Sequence, residues 1–380
     1  MMLSVLPMAI FAEGNSGDIV LPSDCFHSSL SYTNNGDDHS VYCNDCESTL
    51  RTEAHNFVNG TCICGATEGP AAPIEDTSLK FATTAFSMGA ELQYVFIMTG
   101  TVANKYPTTY VDVVVHKATG DETIRIEKSE FVPTGSSFKV NFSGIGAKNM
   151  GDTFEATIYG VDANGQVHVG VPKEASIASN IKNILRKSTS SDVTKTLAVD
   201  MLNYGAAAQV YFGYDTEHLV NADLTAEELA LGTQEVPSVV STSGKTGSGP
   251  ITILAASVSL PSKVTLNMIF SAKSYTGDTS KLTYKVTDVA TNTVVAEGPM
   301  ELQSGTNYKC LYDDVGAKRM RSNITIGVYD ENGVLVSQEQ TWSVESYIAG
   351  VLAKDTTPAA TRNLLECMIK YGDSAAAYLG

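Results

Sequence analysis

Eight residues in one short stretch carry the side chains best suited to chemistry. In order they are Cys25 and His27, then His39, Cys43 and Cys46, then His55, and last Cys62 and Cys64. Thiolate and imidazole are the ligands that zinc prefers, and eight of them are enough for two four-coordinate sites. The spacing fits. Cys43-x2-Cys46 and Cys62-x-Cys64-Gly65 are turns from which two sulfurs can converge, and Gly65 frees nearby amides to hydrogen-bond them. A closed Cys/His shell leaves no open position for substrate, so the cofactor implied is structural Zn2+, two ions of it.

Two rival readings stand beside zinc. An exported protein commonly uses disulfides. Against that, the five cysteines of this stretch cannot all pair with one another, and a bridge across Cys62-x-Cys64 would be strained. Free or redox-active thiols are the third reading. The remaining two cysteines stand apart: Cys310 aligns with Val140 of an earlier copy of the same pattern, as a small buried residue would. Cys367 aligns with Asp200, a partly exposed helix position.

Other chemistry is missing its partners. Gly244-Lys245-Thr246 resembles the end of a phosphate-binding loop, but Val239 stands where the loop needs glycine. No G-x-S-x-G elbow occurs. His116 and His168 sit in strand patterns and lack counterparts in the second copy, and Glu227-Glu228 and Asp313-Asp314 read as solvated pairs. We nominate no catalytic and no cofactor-binding residue and expect no enzyme. A net charge of −17 argues against nucleic acid as a partner, because phosphate binding needs clustered cations. Hydrophobic residues at 43% still allow ordinary cores.

The elements that position these groups come in two copies. Residues 138–181 and 308–348 share a G-A-K-x-M core and a D-x-N-G turn, and the match runs on through NYGAAAQVYFG at 203–213 and KYGDSAAAYLG at 370–380. Self-similarity of this length means two modules of one design. Each opens with alternating β-branched and aromatic runs, such as residues 90–99, 109–116 and 154–159, which predict strands. Asp162-Ala-Asn164-Gly165 and Asp330-Glu-Asn332-Gly333 predict hairpin turns with positive φ at Asn and Gly, not calcium loops, since no twelfth-position Glu follows.

Each module then ends in helices. Ile177, Ile181, Ile184 and Leu185 fall at helical spacing, as do Val344, Ile348, Val351 and Leu352. A second helix, capped by residues 190–192, should turn Val193, Leu197, Met201, Leu202 and Val210 inward, matched by Leu364, Leu365, Met368 and Ile369. The repeated tyrosines, Tyr204 with Tyr211 and Tyr371 with Tyr378, read first as core and second as a contact surface. A single tryptophan, Trp342, makes a sugar-stacking platform a poor fit. The fold class expected is α+β: two tandem Ig-like β-sandwich modules, each ending in a helical hairpin, preceded by a small Cys/His zinc-binding domain.

The organisation follows. Residues 1–12 are an uncharged apolar run that reads as the remnant of a secretory signal, its basic start lying upstream. Residues 24–66 form the Cys/His domain, 67–77 a Pro/Ala linker, and 78–213 the first module. Residues 214–249 link the modules through a short helix, which Thr225 and Glu228 cap as a box, and a flexible SVVSTSGKTGSG run. Residues 250–380 form the second module.

The Cys-x-His…His-x3-Cys-x2-Cys…HNFVNGTCICG run and the NYGAAAQVYFGYDT ending resemble secreted and cell-surface proteins of clostridial gut anaerobes, over most of the mature chain from about residue 25. That resemblance implies an extracellular, non-catalytic surface or adhesive role, and a reducing exterior would favour zinc over disulfides. The chain lacks the wall-sorting and surface-layer segments of its longer relatives. The expected function is therefore a secreted surface protein whose tandem modules recognise an extracellular macromolecule, either a host protein such as an immunoglobulin or an envelope polymer. The alternative is a structural spacer or accessory subunit of a bacterial surface assembly. No membrane insertion is expected.

Overall fold

The computed structural model describes residues 25–67, 72–88, 92–260 and 263–380, divided into two compact units that meet between Ala72 and Pro73. The signal-like residues 1–12 lie outside the described residues.

The first unit is small. Strands β1 (Leu30–Asn34), β2 (Asp38–Cys43) and β3 (Ser48–Ala54) form one antiparallel sheet in that order. Along β2 burial alternates, with His39, Val41 and Cys43 turned inward. Val41 is the one aliphatic among these three, too little to hold a sheet by apolar burial alone.

The second unit begins with β4 (Ile74–Glu75), β5 (Thr83–Met88) and β6 (Leu92–Thr99), the one-turn helix α1 (Gly100–Ala103), β7 (Thr108–Lys117) and β8 (Gly120–Glu127). It continues through β9 (Val132–Thr134), β10 (Ser137–Ile145), β11 (Thr153–Val161), β12 (Val167–Val169) and β13 (Lys173–Ala175). Helices α2 (Ile177–Arg186), α3 (Asp192–Phe212) and the short α4 (Ala226–Leu229) follow. One sheet runs β5-β6-β10-β9; the other runs β4-β12-β11-β7-β8, with β13 also on β11. They face one another across aromatic rings: Phe154 of β11 meets Tyr94 of β6 at 4.9 Å and Phe142 of β10 at 5.1 Å between centroids.

The rest of the unit comprises β14 (Gly244–Thr246), β15 (Thr252–Ser259), β16 (Thr265–Ser271), β17 (Thr283–Asp288), β18 (Thr293–Pro299), β19 (Glu301–Ser304), β20 (Asn307–Tyr312), β21 (Ile324–Tyr329) and β22 (Glu339–Trp342). Helices α5 (Val344–Leu352) and α6 (Ala359–Leu379) close it. Its sheets run β15-β16-β20-β19 and β14-β22-β21-β17-β18. Met268 and Phe270 of the first share a core with Val286, Ile326 and Val328 of the second. The architecture is thus β-sandwich sheets with a few helices.

Details recur at equivalent positions. Ser176 and Ser343 both cap a helix by accepting from the amide three residues on. The Met150 carbonyl accepts from the Ala178 amide at 2.9 Å, and that of Met320 from Glu345 at 2.9 Å. Asp162 Oδ1 accepts from the Asn164 and Gln166 amides, and Asp330 Oδ1 from those of Asn332 and Val334. In both turns only the glycine has positive φ, +81° at Gly165 and +75° at Gly333, so Asn does not share the left-handed region. The aspartate carboxylate closes the turn instead.

Three further expectations differ from the structure. Val193 and Val210 are exposed, since they stand at the two ends of α3 where successive residues are open to solvent, while Leu197, Met201 and Leu202 are buried. The SVVSTSGKTGSG run is pinned: Gly244–Thr246 pairs with β22, and Thr242 and Val240 donate to Ser346 and Glu345. At the other end, Ile74–Glu75 of the Pro/Ala run pairs with β12. The Thr225–Glu228 capping box is present. Cys310 is buried and Cys367 half-buried, both as free thiols. No described helix is long and apolar enough to cross a membrane.

Candidate metal centres

Strand β2 is the spine of the Cys/His unit. Its period of two turns His39 and Cys43 to the same buried face with Val41 between them, about 13 Å apart along an extended strand. Each residue serves a different cluster. Cys43 joins Cys25 and His27, from the segment ahead of β1, and Cys46, from the turn after β2. His39 joins His55, just past β3, and Cys62 and Cys64 of the final turn. In each group the ligand atoms lie within 4.8 Å of one another. All eight residues nominated from the sequence are drawn in, and the division between sites, which spacing left open, is one of Cys3His and one of Cys2His2.

Local backbone chemistry explains how the ligands converge. The final turn is closed by Gly65 N donating to Cys62 O at 2.8 Å and Cys62 N to Ala66 O at 2.8 Å, with Gly65 at φ +84°. That angle suits glycine, which carries no Cβ to clash. At the other site Asp45 ties down the leading segment by accepting from Ser28 N at 2.8 Å, Ser28 Oγ at 2.8 Å and Ser29 N at 2.9 Å. Those bonds hold the Asp45 carboxyl below the usual range.

The distances test whether a metal fits. An ion held at about 2.3 Å from sulfur and 2.0–2.1 Å from nitrogen has tetrahedral edges of about 3.8 Å between sulfurs and about 3.6 Å from sulfur to nitrogen. Cys25 Sγ and Cys43 Sγ are 3.7 Å apart. Nδ1 of His27 lies 3.6 Å from Cys46 Sγ, that of His39 3.6 Å from Cys62 Sγ, and that of His55 3.3 Å from Cys64 Sγ. The edges fit. A disulfide needs sulfurs at about 2.05 Å, and all five cysteines here are free thiols.

The thiols are poised unevenly. Burial disfavours the Cys43 thiolate, yet the His27 side chain and the Cys46 and Asp45 amides bring its pKa down to about 6. The Cys64 amide, opposed by burial but joined by His55 and the Asn56 amide, brings Cys62 to about 6. Cys46 is pushed up to about 11 by burial and by the sulfurs of Cys43 and Cys25. Without a cation, Cys43 therefore ionises ahead of its neighbour Cys46. A divalent cation removes that repulsion and releases the remaining protons.

Sequence reasoning missed the groups behind the ligands. Glu53 Oε1 lies 3.3 Å from His39 Nε2, and His55 Nε2 donates to Gly36 O at 3.0 Å. Neither has a motif, because strand register and a turn set both. Register places Glu53 opposite His39.

No protein-family model matches the chain, and no curated protein sequence matches it. Among solved structures, the crystal structure of the chicken CNTN1 FN1-FN3 domains is similar at 9% identity, over 80% of this chain and 74% of that one, with a TM-score of 0.18. A similarity of that size carries no argument, and the architecture rests on the sheets described above.

Proposed function

We propose that the chain is a secreted, non-enzymatic surface protein. In this reading a knob held by two structural zinc ions precedes two tandem sandwich modules, each closed by a helical hairpin and locked together as one body. Zinc is the ion favoured because each cluster offers four ligands, all of them Cys or His. Between the two roles considered from the sequence, the structural spacer or accessory subunit is better supported. The observation that carries it is the stacking of Tyr204 on Tyr371. The most strongly repeated helical segment faces its own counterpart, so the repeat serves an internal contact and is not free for a target.

Recognition of an extracellular macromolecule, a host protein or an envelope polymer, is the second reading. It is favoured by Tyr211 and Tyr378, equivalent residues that are exposed in both copies. A pull-down of host and bacterial surface material with the full chain, beside a Tyr211→Ser/Tyr378→Ser variant, separates the two. Nothing retained above background supports the spacer. One saturable partner lost in the variant overturns it in favour of recognition.

A further inference from the structure

Glu53 sets the two metal sites apart. Its Oε1 lies 3.3 Å from Nε2 of His39, the ring nitrogen opposite the Nδ1 that faces Cys62. Glu53 is itself held, since Arg51 Nε donates to its Oε2 at 2.7 Å. A carboxylate behind a ligating imidazole fixes the ring and its tautomer and makes the ligand more basic. The second imidazole of this site is anchored too, through the Gly36 carbonyl at 3.0 Å. The rings of His39 and His55 stack at 5.5 Å between centroids, so each ring also packs against the other.

His27 differs on each count. Its Nδ1 faces Cys46 Sγ, but its Nε2 has no hydrogen-bond partner among the described residues. Its backbone sits at φ +46°, outside any strand. Cys25 comes from the same leading segment, which Asp45 ties down only past these ligands, at Ser28 and Ser29, so half the ligands of this site hang on one stretch ahead of β1. Three thiolates put more negative charge around an ion here than two do at the other site, which favours tight equilibrium binding. Exchange is a rate, however, and it follows how readily a ligand swings away.

We propose that the two sites are unequal. His39, His55, Cys62 and Cys64 hold the ion that locks the unit, with Glu53 as their positioning residue. Cys25, His27, Cys43 and Cys46 hold the ion that exchanges. The inference rests on the reading of both clusters as zinc sites.

The test uses the full chain loaded with zinc and mixed with excess chromogenic chelator, for the unaltered protein, Glu53→Ala and Glu53→Gln. A parallel cobalt-loaded sample reports, through its thiolate charge-transfer band, how many sulfurs surround the ion being lost. The expected result is two phases, the faster carrying the three-thiolate signature. Glu53→Ala speeds the slower phase about tenfold or more and leaves the faster one unchanged. Glu53→Gln, which keeps the size and a carbonyl acceptor, gives a smaller shift and serves if the alanine variant does not fold. A single phase, a two-thiolate signature in the faster phase, or a slow phase unmoved by either variant overturns the inequality. A chain that takes up no metal shows no release phase, which overturns the zinc reading itself and the inference with it.

Discussion

Tyr204 and Tyr371 stack on each other with ring centroids 5.6 Å apart and planes 19° from parallel. Their positions match in the sequence repeat, so each ring packs on its sequence counterpart. The surroundings obey the same rule. Gly205 lies against Met150 and the Ala147 carbonyl, and Gly372 against Met320 and the Ala317 carbonyl, both too close for a Cβ without adjustment. The two tyrosines, Met150 and Met320, and Ala147 and Ala317 also line one open cleft.

Removing one ring should therefore cost core stability. Tyr371→Ala is expected to destabilise the second unit by about 3–5 kcal/mol, the range for truncating a buried aromatic. Tyr371→Phe should be close to neutral. Burial alone raises the Tyr371 phenol's pKa, with no hydrogen bond contributing, so its oxygen has no partner to lose among the described residues. Chemical denaturation followed by tyrosine absorbance and by circular dichroism checks both. Equal losses in the two variants would place the stabilisation in the hydroxyl and contradict the packing argument.

Metal removal should act on one unit only. The three-stranded sheet buries little apolar surface, whereas the second unit has a large core of its own. Chelation is expected to abolish the thermal transition of residues 25–67 and leave that of residues 73–380 in place. Differential scanning calorimetry with and without chelator reads this directly. A first unit that keeps its transition after the metal has gone would show that something other than the ions holds it.

Asp76 gives an acid dependence with a definite sign. Burial works against its charge, but Lys105 Nζ at 2.6 Å, the Ser78 hydroxyl and amide, and Tyr106 Oη at 3.0 Å outweigh it. The carboxyl is held well below the usual range. A depressed folded pKa means the stabilisation is fully present above the unfolded value near 4 and is lost as pH falls through the folded one. Asp76→Asn should be less stable than the unaltered chain at pH 7, with the gap closing below about pH 4. Midpoints of urea unfolding across that range check it, and a constant gap would remove Asp76 as the cause.

The legible parts of the fold were those encoded by local chemistry. Ser191 before α3, the Thr225–Glu228 box and the Cys62-x-Cys64-Gly65 turn each act within a few residues, so sequence spacing reports them. What escaped depends on contacts distant in sequence. Helical periodicity placed Val193 and Val210 inward, but whether a helix face is covered depends on what packs there, and both are exposed. Glycine and serine marked residues 238–249 as flexible, yet β22 supplies a pairing edge from nearly a hundred residues away. Among the candidate metal ligands, residue types were readable at once. Their division was not, because β2 sends His39 and Cys43 to different clusters from one face.

Arg321 is one of the residues that fasten residues 234–243 to the rest of the second unit. Its guanidinium is bidentate on Asp373 of α6, with Nε to Oδ1 at 2.6 Å and the second nitrogen to Oδ2 at 2.8 Å. The remaining nitrogen reaches the Ser238 carbonyl at 3.2 Å and Glu345 of α5. A planar fork of this kind cannot be replaced by lysine without losing contacts. Lys370 Nζ adds one further bond, to Gln234 O at 3.0 Å. Arg321→Ala should thus free residues 234–243 locally while the sandwiches stay folded. Limited proteolysis with a broad-specificity protease is expected to cut there several-fold faster, because cleavage follows the population of the opened segment. Arg321→Lys should fall between, and Arg51→Ala, in the other unit, should leave that cleavage rate unchanged. Equal rates in all four proteins would mean that strand β14 alone holds the connection, with Arg321 only decorating it.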